Sequence, residues 1–481
     1  MPGQIARVYP ASGANAMLPL TPSNNYTPTI IFCGGQYLDD RSWGNYSYPF
    51  VNTWTIPASS DCQRITPEPV DGSSPAYVQD DSLPIGRTMG QFIALPDGTF
   101  LIVNGAENGT AGYAQQTLTV PLGAMPFGES LAAGPVGQPA IYNPNAPAGS
   151  RWSTANLGSS KIPRLYHSSA LLLPDGSVMI AGSNPNVDVN LTTVFPTTYT
   201  AEYFYPPYFS ASTRPVPQNI PNTLSYGGNY FDIIVPPTSY SGAANDAADN
   251  TTIWLIRPGF TTHAMNMGQR ILELNHTYTV ESNGTIILHT AQPPPNPNLF
   301  QPGPAMLFVT INGIPSNGTF VIIGNGQFGT QPTSAVSVLP TSVRVSSASG
   351  SAPSSSSGSG SNGSTSHTGL IIGAVVAGIA AVGIVGAVFG ICLARRRRSA
   401  AAADSDQKYP ASGAALGGFA GREMRSSDSS AFVPFRHSNQ SEAALMHSPY
   451  RDQFEPRASS QFAQSAEFDR DAFLPRSSTP R

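Results

Sequence analysis

Short apolar runs separated by turn residues recur along the first part of the chain. Phe92-Ile-Ala-Leu is followed by Pro-Asp-Gly and a second apolar run, Phe100-Leu-Ile-Val, and residues 170–182 are a close copy of this unit. Each copy predicts a β-hairpin with Pro-Asp-Gly at its turn. A third apolar run at residues 29–33 also ends in glycines. Such recurrence is typical of kelch-type blades, so we expect an incomplete β-propeller of about three blades over residues 1–212.

After residue 212 the pattern changes to short runs with intervening turns. The runs occupy residues 230–235, 252–256, 285–290, 305–311 and 319–323. Strands at this spacing predict an immunoglobulin-like β-sandwich over residues 213–345. The expected fold class of the folded part is therefore all-β.

The remainder of the chain has a different composition. Residues 346–368 form a Ser/Gly linker, and the 26 residues 369–394 carry no charge. As a helix this segment would reach about 39 Å, enough to cross a hydrocarbon core of about 30 Å. Four arginines follow at residues 395–398, which predicts a single-pass membrane protein with an extracellular N-terminal part. Residues 395–481 lack periodicity and are expected to be a disordered cytoplasmic tail.

The composition agrees with an exported protein. Charged residues make up only 11% of the chain, with 46 glycines and 46 prolines, a balance typical of secreted all-β proteins. The part before Arg395 is acidic on balance, which argues against a nucleic-acid partner. Glycosylation sequons precede the apolar segment at Asn25, Asn45, Asn108, Asn190, Asn250, Asn275, Asn283, Asn317 and Asn362, and a further one lies at Asn439.

Candidate chemistry is concentrated in Tyr166, His167 and His263. Taken alone, a Tyr-His pair is most often an ordinary strand start, and a single histidine is most often structural. Neighbours on a regular strand face opposite sides, so Tyr166 and His167 could share one metal only at the entry to the strand that follows them. One phenol and two imidazoles form a donor set that suits Cu(II).

Three stretches carry a resemblance to a known family. They are Pro163-Arg-Leu-Tyr-His-Ser-Ser-Ala170, Ala201-Glu-Tyr-Phe-Tyr-Pro-Pro-Tyr208 and Thr262-His-Ala-Met-Asn-Met-Gly-Gln-Arg270. In order and spacing the chain resembles the glyoxal oxidase family of copper radical oxidases, relatives of galactose oxidase, over almost all of residues 1–330. The resemblance implies that the sandwich is a galactose oxidase-like early-set domain. It also implies that Tyr166 is the axial phenol and base, with His167 and His263 as equatorial ligands of copper.

The family reaction oxidises simple aldehydes, or related alcohols and α-dicarbonyls, with O₂ to the carboxylic acid and H₂O₂. It also uses a tyrosine cross-linked to a cysteine, which the resemblance places upstream of the matched region. Two cysteines, Cys33 and Cys62, precede the apolar segment, and this even number favours a disulfide between them. The less favoured alternative is that Cys33 replaces the missing cysteine of the thioether. Cys392 lies in the apolar segment.

Two further expectations concern the chain as a whole. Its N-terminus shows no apolar signal-peptide core, so we expect a truncated gene product, with a natural short isoform as the alternative. Without the Tyr-Cys radical cofactor we expect no aldehyde oxidation by this chain alone. The rival function is a non-catalytic surface protein for adhesion or glycan binding, which need not bind copper.

Overall fold

The computed structural model describes residues 2–39, 44–45, 48–263, 265–346 and 432–434. The predicted linker from residue 347, the apolar segment 369–394 and nearly all of the tail lie outside these ranges. Within the described ranges, no helix combines the length and the apolar character needed to span a membrane.

The regular secondary structure of the described residues is almost entirely β-strand, as expected from the sequence. The first part contains β1 (Ala14–Met17), β2 (Ile30–Cys33), β3 (Gly44–Asn45), β4 (Tyr48–Pro49), β5 (Cys62–Ile65), β6 (Tyr77–Asp80), β7 (Gln91–Ala94), β8 (Phe100–Val103), β9 (Ala106–Tyr113), β10 (Ser130–Pro135), β11 (Ala140–Tyr142), β12 (Trp152–Ser153), β13 (Ser168–Leu172), β14 (Val178–Gly182) and β15 (Glu202–Phe204).

The second part contains β16 (Thr223–Leu224), β17 (Tyr226–Gly228), β18 (Phe231–Val235), β19 (Thr251–Arg257), β20 (Phe260–Thr262), β21 (Met265–Met267), β22 (Arg270–Glu273), β23 (His276–Val280), β24 (Ile286–Thr290), β25 (Gly303–Ile311), β26 (Ile314–Pro315), β27 (Thr319–Ile323) and β28 (Thr333–Val336), and β29 (Phe432–Pro434) follows. One α-helix, α1 (Ala244–Asp249), accompanies short 3₁₀ turns at Pro2–Gln4, Pro22–Asn24, Thr53–Thr55, Pro207–Ser210 and Pro237–Ser239 in the part of the chain that is described.

Three antiparallel sheets dominate the first part. The first sheet has the order β1-β2-β5-β6, the second β12-β11-β8-β7, and the third β13-β14-β15-β29. The first strand of the second sheet, β7, lies next to both β1 and β13. The sheets therefore adjoin along their first strands, and over the described residues they do not close into a ring.

Both predicted Pro-Asp-Gly hairpins are present. The turns join β7 to β8 and β13 to β14, and their glycines, Gly98 and Gly176, have φ of 81° and 86°. This left-handed backbone favours glycine, and the Asp side chain stabilises each turn by accepting a nearby N–H, as Asp97 does from Thr99 at 3.0 Å. The sequence did not predict that these turns contact the second part, where the N–H of Gly318 donates to the carbonyl of Pro174 at 2.7 Å.

The second part is a sandwich of two layers. One layer has the order β16-β27-β25-β19-β22 with β26 paired to β25, and the other has the order β18-β24-β23. All five predicted runs are strands here. The interior strand β19 is buried on both faces: Ile253 and Leu255 belong to the sandwich core, whereas Trp254 and Ile256 pack with the first part. Because side chains alternate between the two faces of a strand, β19 packs against both parts of the chain.

The third sheet takes its fourth strand from the predicted tail. Residue Tyr203 of β15 is paired with Val433 of β29. This pairing requires residues 432–434 and the third sheet to lie on the same side of any membrane. It is therefore an alternative to the predicted topology, in which the tail and the sheets lie on opposite sides.

Cys33 and Cys62 face each other across β2 and β5 and form a disulfide with an S–S distance of 2.02 Å. Both residues are fully buried. The pairing agrees with the favoured sequence interpretation and leaves neither cysteine free for a thioether. The disulfide encloses a segment with two tryptophans: Trp54 packs against Phe127 at 6.4 Å between ring centroids, and Trp43 lies outside the described residues.

Removing this disulfide should destabilise the fold. With a sequence separation of 29 residues, the chain-entropy model gives a loss of roughly 3 to 4 kcal/mol in the free energy of unfolding. The measurement is urea unfolding of the double variant Cys33→Ala/Cys62→Ala against a Cys392→Ala control. A thiol reagent that modifies both residues in the folded, non-reduced protein would contradict the pairing.

Candidate metal centre

Tyr166 and His167 lie immediately before β13, at the strand entry where the sequence places them. His167 has φ of 64°, a left-handed conformation that is uncommon for a residue with a side chain. This conformation interrupts the alternation of a regular strand, so both rings lie on the same side. The Tyr166 and His167 rings stack with 3.8 Å between their centroids and 28° between their planes.

A buried ion pair holds this segment in place. The Arg164 guanidinium donates to the Glu202 carboxylate at the start of β15, with Nη2 to Oε2 at 2.8 Å. Its Nη1 donates to the Gly182 carbonyl at 2.7 Å. The side chains of Arg164 and Glu202 are only 2% and 3% exposed. The loop before β13 is thereby fixed to the other strands of the third sheet.

His263 belongs to the second part but reaches the first. It occupies the turn between β20 and β21, with φ of 51°. This hairpin lies over the first strands of the sheets: Asn266 Nδ2 donates to the Phe92 carbonyl at 3.2 Å, and Thr261 Oγ1 donates to the Ala170 carbonyl at 3.4 Å. Gln269, just after β21, accepts the N–H of Ala94 at 2.9 Å. These contacts fix the turn that carries the imidazole.

The three predicted residues are brought together from the two parts of the chain. The ring centroid of His263 lies 5.8 Å from that of Tyr166 and 6.2 Å from that of His167. Tyr166 is 7% exposed, whereas both imidazoles are exposed. Their role as metal ligands stays a prediction.

The donor chemistry of the cluster fits a Cu(II) ion. His263 Nδ1 lies 2.8 Å from Thr262 Oγ1, and a hydrogen bond at this nitrogen leaves Nε2 available as a ligand. The described residues contain no group of three or more His, Cys, Asp or Glu side chains that could hold a metal. In this cluster the predicted donors are the two imidazoles and the Tyr166 phenol. Two nitrogens and one oxygen suit the mixed ligation of Cu(II).

Burial shifts the acid–base properties of this cluster. Loss of solvent raises the pKa of the Tyr166 phenol above its ordinary value, and the neighbouring Tyr9 and Tyr113 phenols raise it further. Loss of solvent lowers the pKa of His167, a hydrogen bond with the backbone of Asn184 opposes this, and the nearby His263 lowers it slightly more. The lowered pKa favours the neutral His167 imidazole, which is the form that binds a metal.

Two tyrosines that the sequence analysis did not select complete the cluster. The Tyr9 ring lies 6.2 Å from Tyr166 and 5.6 Å from His263 between centroids, and the Tyr113 ring lies 6.2 Å from Tyr166. The available signal was a repeated Arg-x-Tyr, at residues 7–9 and 164–166. This signal was missed because the repeat was defined by its apolar runs and not by the loops that precede them.

Comparisons with known proteins agree with the resemblance. Residues 1–208 match the family model described as the glyoxal oxidase N-terminus, and residues 214–323 match that of the galactose oxidase-like early set domain. The chain is 31% identical over 327 residues to an aldehyde oxidase from Arabidopsis thaliana, covering 66% of this chain and 48% of that protein. It is 32% identical over 319 residues to an aldehyde oxidase from Vitis pseudoreticulata, covering 66% and 54%.

More distant similarity extends to a galactose oxidase from Gibberella zeae, at 29% identity over 248 residues, which covers 51% of this chain and 31% of that protein. A solved fungal alcohol oxidase of the AA5 family, in complex with copper, matches with a TM-score of 0.45 and 18% identity over 65% of this chain and 54% of that one. This structural likeness is too weak to carry a conclusion. The chain spans about half the length of the two aldehyde oxidases.

Proposed function

We propose that this chain, which carries a glyoxal oxidase N-terminal domain followed by a galactose oxidase-like early set domain, supplies the copper site of a copper radical oxidase of the glyoxal oxidase type. The observation that carries this proposal is the meeting of Tyr166, His167 and His263 from the two domains. Ligands that come from both sides of a domain boundary form a site where pockets commonly occur. The substrates would be O₂ and a simple aldehyde, a related alcohol or an α-dicarbonyl.

The side chains have separate roles in this proposal. His167, His263 and Tyr166 would hold Cu(II) through two imidazole nitrogens and one phenol oxygen. When bound, copper supplies a one-electron acceptor and a Lewis acid. As the phenolate, Tyr166 would accept the substrate proton at its oxygen. The Arg164–Glu202 ion pair keeps that phenol in position.

A two-electron oxidation needs a second acceptor besides copper. In the family this is the cross-linked Tyr-Cys radical, but Cys33 and Cys62 are joined to each other and Cys392 lies in the apolar segment. We therefore propose that this chain binds copper but does not by itself oxidise aldehydes.

The test is to load the purified full chain with Cu(II) and measure bound copper and H₂O₂ release with methylglyoxal. We expect stoichiometric copper and no sustained H₂O₂ release. Sustained turnover would show that this chain contains a second electron acceptor. The assignment of that acceptor to a Tyr-Cys pair that this chain lacks would then be wrong. Absence of bound copper would overturn the metal site and favour the non-catalytic surface protein.

We also propose that the two domains lie outside the cell, tethered by residues 369–394, with residues 395–481 in the cytoplasm. No described sequon asparagine is fully buried among Asn25, Asn108, Asn190, Asn250, Asn275, Asn283 and Asn317. Expression behind a signal peptide should give a product whose apparent mass falls on glycosidase treatment. If the mass does not change, or if glycosylation at Asn439 shows that the tail shares the lumen with the domains, the topology is wrong and the β15–β29 pairing is favoured.

A further inference from the structure

Each of the three main sheets of the first part follows a loop that contains an arginine: Arg7 before β1, Arg87 before β7 and Arg164 before β13. Two of these arginines form an ion pair at the beginning of the third strand of their own sheet. Arg7 pairs with Asp61, directly before β5, at 2.5 Å. Arg164 pairs with Glu202, the first residue of β15, at 2.8 Å. The same arrangement in the second sheet would put a carboxylate beside Arg87 at the start of β11.

The strand register of the second sheet puts an alanine at that place. Glu202 is paired with Ile180 in the third sheet, and Ala140 is paired with Ile102 in the second. Ile180 and Ile102 stand at the same distance after the proline of their Pro-Asp-Gly turns, so Ala140 is equivalent to Glu202. Ala140 is fully buried, and its methyl group cannot accept a hydrogen bond from a guanidinium.

Arg87 retains the other half of the arrangement. Its Nη1 donates to the Asn104 carbonyl at 3.3 Å. Arg164 Nη1 donates in the same way to the Gly182 carbonyl, which stands at the same distance after its turn proline. The difference lies at Nε: in Arg164 this N–H donates to Glu202 at 3.2 Å, whereas the buried Nε of Arg87 has no partner among the described residues.

The Arg87 guanidinium is a buried positive charge that forms no salt bridge in the part of the chain that is described. The residue is 1% exposed, and its Nη2 donates to the Gln138 carbonyl at 3.2 Å. Loss of solvent lowers the pKa of Arg87 to about 10, and the exposed Glu107 opposes this shift. The group is therefore protonated at neutral pH. Because an unpaired buried charge is costly, a counter-ion at Nε would stabilise the fold.

We propose that Arg87 binds a small monovalent anion of the size of chloride, in the place that the Glu202 carboxylate takes beside Arg164. The anion accepts the Nε–H of Arg87 next to Ala140, which lacks the carboxyl group that would otherwise fill this position. A second buried N–H donor without a described partner is Nδ2 of Asn104, the residue whose carbonyl accepts Arg87 Nη1. This anion site is independent of the proposed copper site.

The experiment measures urea unfolding of the full chain in mixtures of sodium chloride and sodium gluconate at constant ionic strength. Gluconate is too large to take the place of a single carboxylate group. An anion that binds only the folded state raises the unfolding midpoint as its concentration increases. We therefore expect the midpoint to rise with the chloride fraction until the site is saturated. A midpoint that does not depend on chloride overturns the proposal.

Ala140→Glu supplies the carboxylate within the chain, and Ala140→Gln is its matched control of nearly equal size without the charge. Ala140→Glu should lose the chloride dependence and should be more stable in gluconate than Ala140→Gln, because only the glutamate neutralises Arg87. Chloride dependence that persists in Ala140→Glu places the anion elsewhere and overturns the proposal. Equal stability of the two variants also overturns it, because Arg87 then needs no anion.

A second measurement keeps the proposal testable if neither variant folds. Crystals of the unmodified chain grown in bromide should show an anomalous scattering peak within hydrogen-bond distance of Arg87 Nε. A bromide peak at that position supports the anion site, and its absence from a crystal that shows bromide elsewhere contradicts it.

Discussion

Replacing His263 by alanine should lower the Cu(II) affinity of the full chain by at least about 100-fold. Loss of a residue that merely orients a metal ligand typically costs 10- to 100-fold in affinity, and loss of a ligand itself should cost no less. The β20–β21 hairpin retains its backbone contacts with β7 and β13 in this variant, because those contacts come from Thr261, Asn266 and Gln269. The measurement is chelator competition, with copper EPR to report the loss of imidazole nitrogen.

His289→Ala is the matched control for this experiment. His289 lies on β24 in the sandwich, where Nδ1 is 2.7 Å from Asp232 Oδ1 and Nε2 is 3.0 Å from Thr279 Oγ1. Its replacement removes a histidine with hydrogen bonds but leaves the metal cluster intact, so the copper affinity should stay unchanged. Equal affinities in the two variants would show that copper binds elsewhere and would remove the central support for an oxidase.

The β-structure was predictable because its determinants are local. Alternating apolar residues and Pro-Asp-Gly turns encode hairpins within a few residues, and β7–β8, β13–β14 and the five runs of the sandwich all formed where expected. Burial of β19 on both faces was also visible in principle, since Thr252-Ile-Trp-Leu-Ile is almost continuously apolar. This run does not reveal that Trp254 and Ile256 pack against the first part of the chain, because the surface they contact comes from residues distant in the sequence.

The candidate site was predictable only in part. Tyr166, His167 and His263 were selected by resemblance, and their meeting depends on a hairpin held by polar contacts such as Gln269 with Phe92 and Ala94. No periodicity encodes such contacts. Tyr9 and Tyr113 were not selected because their proximity to Tyr166 depends on packing between segments that are distant in the sequence. The pairing of β29 with β15 was likewise unexpected, since residues 395–481 carry no sustained pattern.

Replacing Arg164 by leucine should have the largest effect on stability. The variant leaves the Glu202 carboxylate buried without its guanidinium partner, and breaking a buried pair in this way costs roughly 3 to 5 kcal/mol. The Gly182 carbonyl also loses a donor. Urea unfolding followed by tryptophan fluorescence measures the change in the free energy of unfolding, and copper affinity should fall with it because the Tyr166 loop loses its anchor.

The double variant Arg164→Leu/Glu202→Leu tests the cause. Removing both charges avoids the unpaired carboxylate, so the double variant should be more stable than Arg164→Leu, as replacement of buried ion pairs by apolar residues often shows. Arg344→Leu is the surface control: its ion pair with Asp249 involves side chains that are 53% and 39% exposed, and solvent screening should leave stability nearly unchanged. If Arg164→Leu is no more destabilising than Arg344→Leu, the ion pair with Glu202 does not hold the loop. If the double variant is stable yet binds copper weakly, Arg164 positions Tyr166 as well as stabilising the fold.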